Sequence, residues 1–146
     1  MILEVYKFNQ ARNGFKLDEK LEYAMLKEEV QEFFEAKTTA ERLDAYIDTL
    51  YVYEGTNLKY AANFKELPEW LTTIEDAIGI MYKVLIKELG NAKLYEAIIK
   101  AKKIVCDANA IKGTKLDVNG KVAKDGFKIN PTEQIAKMLE ELKNES

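Results

Sequence analysis

The sequence contains no histidine. That absence removes Ser-His-Asp and Cys-His nucleophile pairs, imidazole bases, zincin motifs and the Glu-x-x-His sites of di-iron helical bundles. Cysteine occurs once, at Cys106, which excludes an internal disulfide framework and a thiolate zinc site and suits a reducing, cytoplasmic setting. Two prolines and seven glycines in 146 residues leave few places to break a helix. Long apolar runs are missing too, so no membrane span is expected, and Glu4 and Lys7 inside the first apolar stretch argue against a signal peptide. The net charge of −3 gives no general attraction to nucleic acid or to an anionic membrane. Any chemistry must therefore come from carboxylates, lysines, hydroxyls or a bound metal.

What is present is a chain 47% hydrophobic and 32% charged, a globular composition of a length that suits one domain over residues 1–146. Its charge is unevenly placed. Met1 to Glu54 holds twelve acids against seven bases, whereas Asn91 to Lys128 holds nine lysines against four acids. The first half is suited to attract cations and the later segment anions.

Apolar periodicity predicts an all-α bundle of five or six helices. The first runs from Met1 to about Asn13 and the second from Leu17 or Asp18 to about Lys37. Thr38-Thr39 caps a third that reaches Asn63, with Arg42 at the capping-box position counted from Thr39. Pro68 suits the first position of a fourth, whose stripe is Trp70, Ile74, Ile78, Met81 and Leu85 and which stops at Gly90. A fifth spans Ala92 to Ala110, and Pro131 opens the last. Between these two, Asn119-Gly120 carries the signature of a small β-hairpin.

At about 100° per residue, Leu17, Leu21 and Met25 share an arc that Glu28, Glu29 and Glu32 continue. On the third helix Asp44 and Asp48 share a face, continued by Tyr51 and Gly55 and flanked by apolar residues on both sides. Most acid-rich helices simply turn their charge to water. Two successive helices with acids aligned to apolar stripes point instead to carboxylates held together, which Mg²⁺ commonly neutralises.

These residues carry a resemblance. Leu26-Lys-Glu-Glu-Val-Gln-Glu-Phe33 resembles the EExxE segment of the all-α nucleoside triphosphate pyrophosphohydrolases, the MazG-like and phosphoribosyl-ATP pyrophosphohydrolase-like superfamily. Asp44-Ala-Tyr-Ile-Asp48-Thr-Leu-Tyr-Val-Tyr-Glu-Gly55-Thr56 is similar to the DAxxDxLYVxxGT segment of its phage-type branch, and Asn109-Ala-Ile-Lys112 to that branch's NMSK. A Gly120-Lys-Val122 hairpin and a Gly126-Phe127…Pro131 element follow in the same order, and Phe8-Asn9 stands where relatives often have Phe-His. The second motif departs from the usual ExxD, since Ala45 lies three before Asp48; Glu41-x-x-Asp44 fits those letters but follows Glu32 by a shorter gap.

The resemblance implies hydrolysis of a nucleoside triphosphate between the α and β phosphates, with Mg²⁺ or Mn²⁺ as cofactor, in a homodimer or homotetramer. It makes Glu29, Glu32, Asp44 and Asp48 the metal ligands, with Glu41 in reserve, and Glu28 a further ligand or the acceptor of the water's proton. Asn109 and Lys112 would meet phosphate oxygens and the leaving pyrophosphate, assisted by Lys115 and Lys121; Asp107 is left without a role. Apolar residues on several sides of the third helix, such as Tyr46, Leu50 and Tyr53, likewise suggest cover from another subunit. The segment from Asn57 to Val105 is longer than in compact relatives, and its Trp70 and Tyr82 suit core or subunit packing better than base stacking. Two other readings stand beside this one. They are a non-enzymatic nucleotide-binding or assembly module with a decayed second motif, and an enzyme acting on phosphoribosyl-ATP.

Overall fold

The computed structural model describes residues 1–112 and 130–145, and within them every regular element is a helix. These are α1 (Ile2–Arg12), α2 (Glu19–Glu35), α3 (Thr39–Ala62), α4 (Trp70–Leu89), α5 (Asn91–Ala110) and α6 (Pro131–Asn144). The hairpin expected around Asn119-Gly120, with Lys115 and Lys121, lies outside the described residues.

Local chemistry sets the boundaries. Asp18 caps α2 by accepting from the Leu21 N–H, and Asn130 caps α6 by accepting from that of Glu133. The cap of α3 is Thr38, whose hydroxyl accepts from the Glu41 N–H, while the Glu41 carboxylate accepts from the Lys37 N–H. Counted from Thr38, the third following residue is thus a glutamate, and the side chain of Arg42 is free for another partner. Helix α4 begins two residues later than Pro68 suggests, with Glu69 as its cap residue and the Leu71 N–H bonded to the Pro68 carbonyl. It ends at Gly90, where φ is +79°, a conformation that favours glycine.

Helix α3 is the axis of the bundle and packs against all five others. Its eleven buried residues include Leu43, Tyr46, Ile47, Tyr51 and Tyr60. The many-sided apolarity of α3 is therefore covered within one chain: Tyr46 is buried, and Leu50 and Tyr53 are half-buried. That pattern, taken in the sequence as a reason for a second subunit, is accounted for without one.

A three-residue link joins α2 to α3, and the two pack antiparallel over their length. Glu19 and Glu22 at the start of α2 bond Tyr60 and Lys59 at the end of α3. Helix α4 lies against α2, α3 and α5. Its Leu71 and Ile74 bury Leu26 of α2, and Trp70 meets the Tyr23 ring edge-on at 5.0 Å. Tyr53 donates its hydroxyl to Glu75. Helix α4 is thus a buttress for the α2–α3 pair. At its far end Arg42 of α3 pairs with Glu88, which also accepts from the Thr39 hydroxyl.

Candidate functional site

Because α2 and α3 are antiparallel, acids late in α2 come beside acids early in α3. Glu29 and Glu32 from α2 and Asp48 from α3 line one end of a cavity of about 190 Å³. Successive turns of the same two helices form its walls, Leu21 and Met25 from α2 with Tyr51, Val52 and Gly55 from α3. Phe8, Asn9 and Asn13 of α1 close another side, and Asn109 and Lys112 at the end of α5 close the last. Phe8 meets the Tyr51 ring edge-on at 5.6 Å, which fixes the α1 wall against α3.

The arc drawn on α2 is thus a cavity wall and not the core stripe. The residues of α2 that face the core are Glu22, Leu26 and Phe33. Leu21, Met25, Glu29 and Glu32 of that arc face the cavity, while Glu28 is exposed and lines neither this cavity nor its neighbour.

Beyond Glu32 lies a shallower depression that Glu32 shares with Glu35, Glu41, Asp44 and Thr132. The Thr132 hydroxyl donates to Asp44 Oδ2 at 2.7 Å, while Asp44 Oδ1 is closed off from solvent with no hydrogen-bond donor among the described residues. Burial pushes the Asp44 carboxyl above its ordinary range; the Thr132 hydrogen bond opposes this, the Glu32 charge adds to it and Lys112 opposes it again. Glu29 Oε2 is likewise closed off from solvent.

Oxygen donors of this kind, crowded at one end of a cavity and partly sealed from water, suit a hard divalent cation. Among the described residues no group of three acids is already gathered tightly enough to form a ready-made site. The donor chemistry and the undonated Asp44 oxygen fit Mg²⁺ or Mn²⁺, and Glu29, Glu32, Asp48 and Asp44 are the residues available to hold it.

Of the residues singled out in the sequence, Glu29, Glu32, Asp48, Asn109 and Lys112 come together on one cavity. Asp44 stands one helical turn before Asp48 and faces the adjoining depression beside Glu41. Asp107 is exposed and paired with Lys103 at 2.7 Å, away from the cavity lining. Trp70 and Tyr82 do not line the cavity either.

No protein-family model matches this sequence, and neither a curated protein nor a solved structure is recognisably similar to it.

Several residues of the site have no signal in the linear pattern. Arg12 donates to the carbonyl oxygens of Asn109 and Lys112, at 3.4 and 2.6 Å, and lies 4.1 Å over the Phe8 ring. It satisfies helix-end carbonyls of α5 and ties the Asn109–Lys112 turn to α1. Thr132 reaches Asp44 across 88 residues. Glu22 and Lys59 form a buried ion pair at 2.9 Å, with the Thr56 hydroxyl on the other Glu22 oxygen, also at 2.9 Å. A buried acid in an α2 stripe and a buried lysine eleven residues after Asp48 are legible as a pair only once the helices are known to be antiparallel.

Proposed function

We propose that the chain hydrolyses a nucleoside or deoxynucleoside triphosphate between the α and β phosphates, releasing the monophosphate and pyrophosphate. The observation that carries the reading is the convergence of Glu29, Glu32 and Asp48 with Asn109 and Lys112 on a single cavity. Acids and a lysine facing one space are what a polyanionic ligand held through divalent cations requires. The resemblance of these same segments to the all-α pyrophosphohydrolases supplies the position of bond cleavage.

Bound Mg²⁺ or Mn²⁺ would neutralise phosphate charge and lower the pKa of a water. Glu29, Glu32 and Asp48, backed by Asp44, would hold the ions. A water oxygen forms the new bond to the α phosphorus, the bond from that phosphorus to the bridging oxygen breaks, and the water's proton passes to a cavity carboxylate. Lys112 and Asn109 meet the phosphate oxygens, and Lys112 stabilises the charge that develops on pyrophosphate. Phe8, Leu21, Met25 and Tyr51 narrow the cavity and exclude water from its apolar stretch.

Hydrolysis in ¹⁸O-labelled water tests this directly. The label should enter the nucleoside monophosphate and be absent from pyrophosphate at short times. Label in orthophosphate beside a diphosphate product moves the chemistry to the γ phosphate and overturns the reading. Failure of a panel of triphosphates to release pyrophosphate with Mg²⁺ favours a binding module instead.

The reading includes a homodimer or homotetramer, as the resemblance implies. Exposed Ile80 and Tyr82 on α4 and Tyr95 and Ile99 on α5 leave apolar side chains at the outside of the bundle. Light scattering should give a multiple of 16.7 kDa, and a stable monomer at micromolar concentration removes this part of the reading.

A further inference from the structure

The end of the cavity away from the acids has a different chemistry. There Glu22 is 1% exposed and Lys59 6% exposed, both on the lining. Each Glu22 oxygen already accepts a hydrogen bond, one from Thr56 and one from Lys59. Lys59 Nζ has three N–H groups and gives one to Glu22; among the described residues the other two meet no acceptor.

Asn9 and Asn13 are tied to each other and to the chain. Asn9 Oδ1 accepts from Asn13 Nδ2 at 2.8 Å, and Asn13 Oδ1 accepts from the Phe15 N–H at 2.9 Å. Asn9 Nδ2 gives one of its two hydrogens to the Val5 carbonyl. Each of these oxygens already accepts one hydrogen bond, and Lys59 keeps two N–H groups for whatever enters this end. A ligand that satisfies a buried lysine here must bring acceptors.

The position relative to the acids matters as well. Lys59 follows Asp48 by eleven residues on one helix, a separation of roughly 16 Å along the axis. Helical side chains lean toward the N-terminus, which turns the Lys59 stem back toward Asp48. Leu21, Met25 and Val52 line the space between, apolar surface of the kind a flat ring covers. A nucleotide with its phosphates at the acids would lay its base over these residues and present the base edge to Lys59.

We propose that Lys59 is a specificity-determining residue that selects bases presenting a carbonyl oxygen at that edge, as uracil, thymine and hypoxanthine do, over bases presenting an amino group there, as cytosine and adenine do. An amino group would set donor against donor in a buried place and leave the lysine unsatisfied. This inference rests on the proposed nucleotide site but not on its hydrolytic chemistry.

The test is equilibrium binding by calorimetry, with dUMP against dCMP and dIMP against dAMP, each pair differing in the keto or amino character of one edge. Wild type should bind the keto member of each pair at least about 10-fold more tightly, the scale of one unsatisfied buried polar group. Lys59→Met should bring both ratios near one. Because that change strands the Glu22 carboxylate, the Glu22→Gln/Lys59→Met double variant, which keeps a partner for Thr56, is measured beside it, with circular dichroism to show that it is folded. Equal affinities in wild type, no binding of any of the four, or a keto preference that survives in the folded double variant would each overturn the inference. Keto preference without pyrophosphate release from any triphosphate upholds it while the hydrolytic reading fails.

Discussion

Arg12 donates to the backbone carbonyl of Lys112 across one hundred residues of sequence, at 2.6 Å. The contact joins the last turn of α1 to the end of α5, so the lysine that faces the acids is held in place by a residue from the opposite wall. Arg12 touches the chain on both sides, through Phe8 below it and the Asn109 and Lys112 carbonyls beyond. Its planar fork makes more than one bond at once, which a lysine cannot reproduce.

Replacing Arg12 by Lys should therefore lower kcat/KM by about 10-fold with a stability loss of about 1.5 kcal/mol, the low end for a lost hydrogen bond from a charged donor. Lys112→Ala should be more severe for turnover, about 10² to 10³-fold, and nearly neutral for stability. Steady-state kinetics beside thermal melts check both. Equal effects of the two variants on melting temperature would show that Arg12 does not act by positioning the α5 end.

Metal should be linked to stability. Glu29, Glu32 and Asp48 line one cavity and Asp44 the depression beside it, and an ion that binds there only in the folded form raises the melting temperature. With EDTA, Asp44→Asn should raise the melting temperature, because the amide accepts the Thr132 hydroxyl without burying a charge. With millimolar Mg²⁺ or Mn²⁺, wild type should gain several degrees, Asp48→Asn should gain less, and Glu96→Gln, at an exposed position of α5, should match wild type. Differential scanning calorimetry with and without EDTA reads all four; an unchanged metal response in Asp48→Asn removes Asp48 from the ligand set. Glu28→Gln should retain most of the metal response as well, since its side chain lines neither cavity.

Acid sensitivity has a separate source in the Arg42–Glu88 pair, which clamps α3 to the end of α4. Burial pushes the Glu88 carboxyl up, but the hydrogen bonds from Arg42 and Thr39 and the Arg42 charge outweigh it and hold the group below its ordinary value. A carboxylate depressed in the folded state stabilises the protein above its unfolded pKa and loses that contribution as pH falls through the folded one. Melting temperature should thus fall as pH drops below about 4.5, the usual glutamate value, with part of the slope missing in Glu88→Gln. At neutral pH the same variant should cost about 1 kcal/mol, modest because both side chains keep some solvent contact. A pH profile parallel to wild type would exclude Glu88 as the source.

Helix periodicity carried most of the fold. The stripe of α4 and the faces of α5 and α6 bury the residues their spacing indicates, among them Met81 and Leu85, Leu94 and Ala101, Ile135 and Leu142. Glu29, Glu32, Asp48, Asn109 and Lys112, which line the cavity, were singled out from short segments of sequence. Glu28 lies on the exposed edge of its arc, and an arc drawn at 100° per residue does not say which edge faces the core. Arg12, Thr132 and Lys59 left no trace in the pattern; each acts on a residue 37 or more positions away, through packing that only the antiparallel α2–α3 pair and the closure by α1 and α6 create.

Gly55 offers the sharpest separation of stability from binding. It lies where α1 crosses α3, and a Cβ there would stand 3.1 Å from Asn9 Nδ2 and 3.6 Å from Val5 Cγ1. Asn9 cannot swing away cheaply, because it is bonded to the Val5 carbonyl and to Asn13. Alanine in a helix interior is favoured over glycine by about 1 kcal/mol, so Gly55→Ala gains locally roughly what it loses in moving α1 by a few tenths of an ångström. Melting temperature should change by no more than about 3 °C. The displaced wall is Phe8, Asn9 and Asn13, so nucleotide binding should weaken by about 10-fold even though Gly55 brings no polar group of its own. Calorimetric titration with a nucleoside monophosphate, beside a thermal melt, measures the two together. Full binding in a variant of unchanged stability would show that the α1 wall takes no part in holding the ligand.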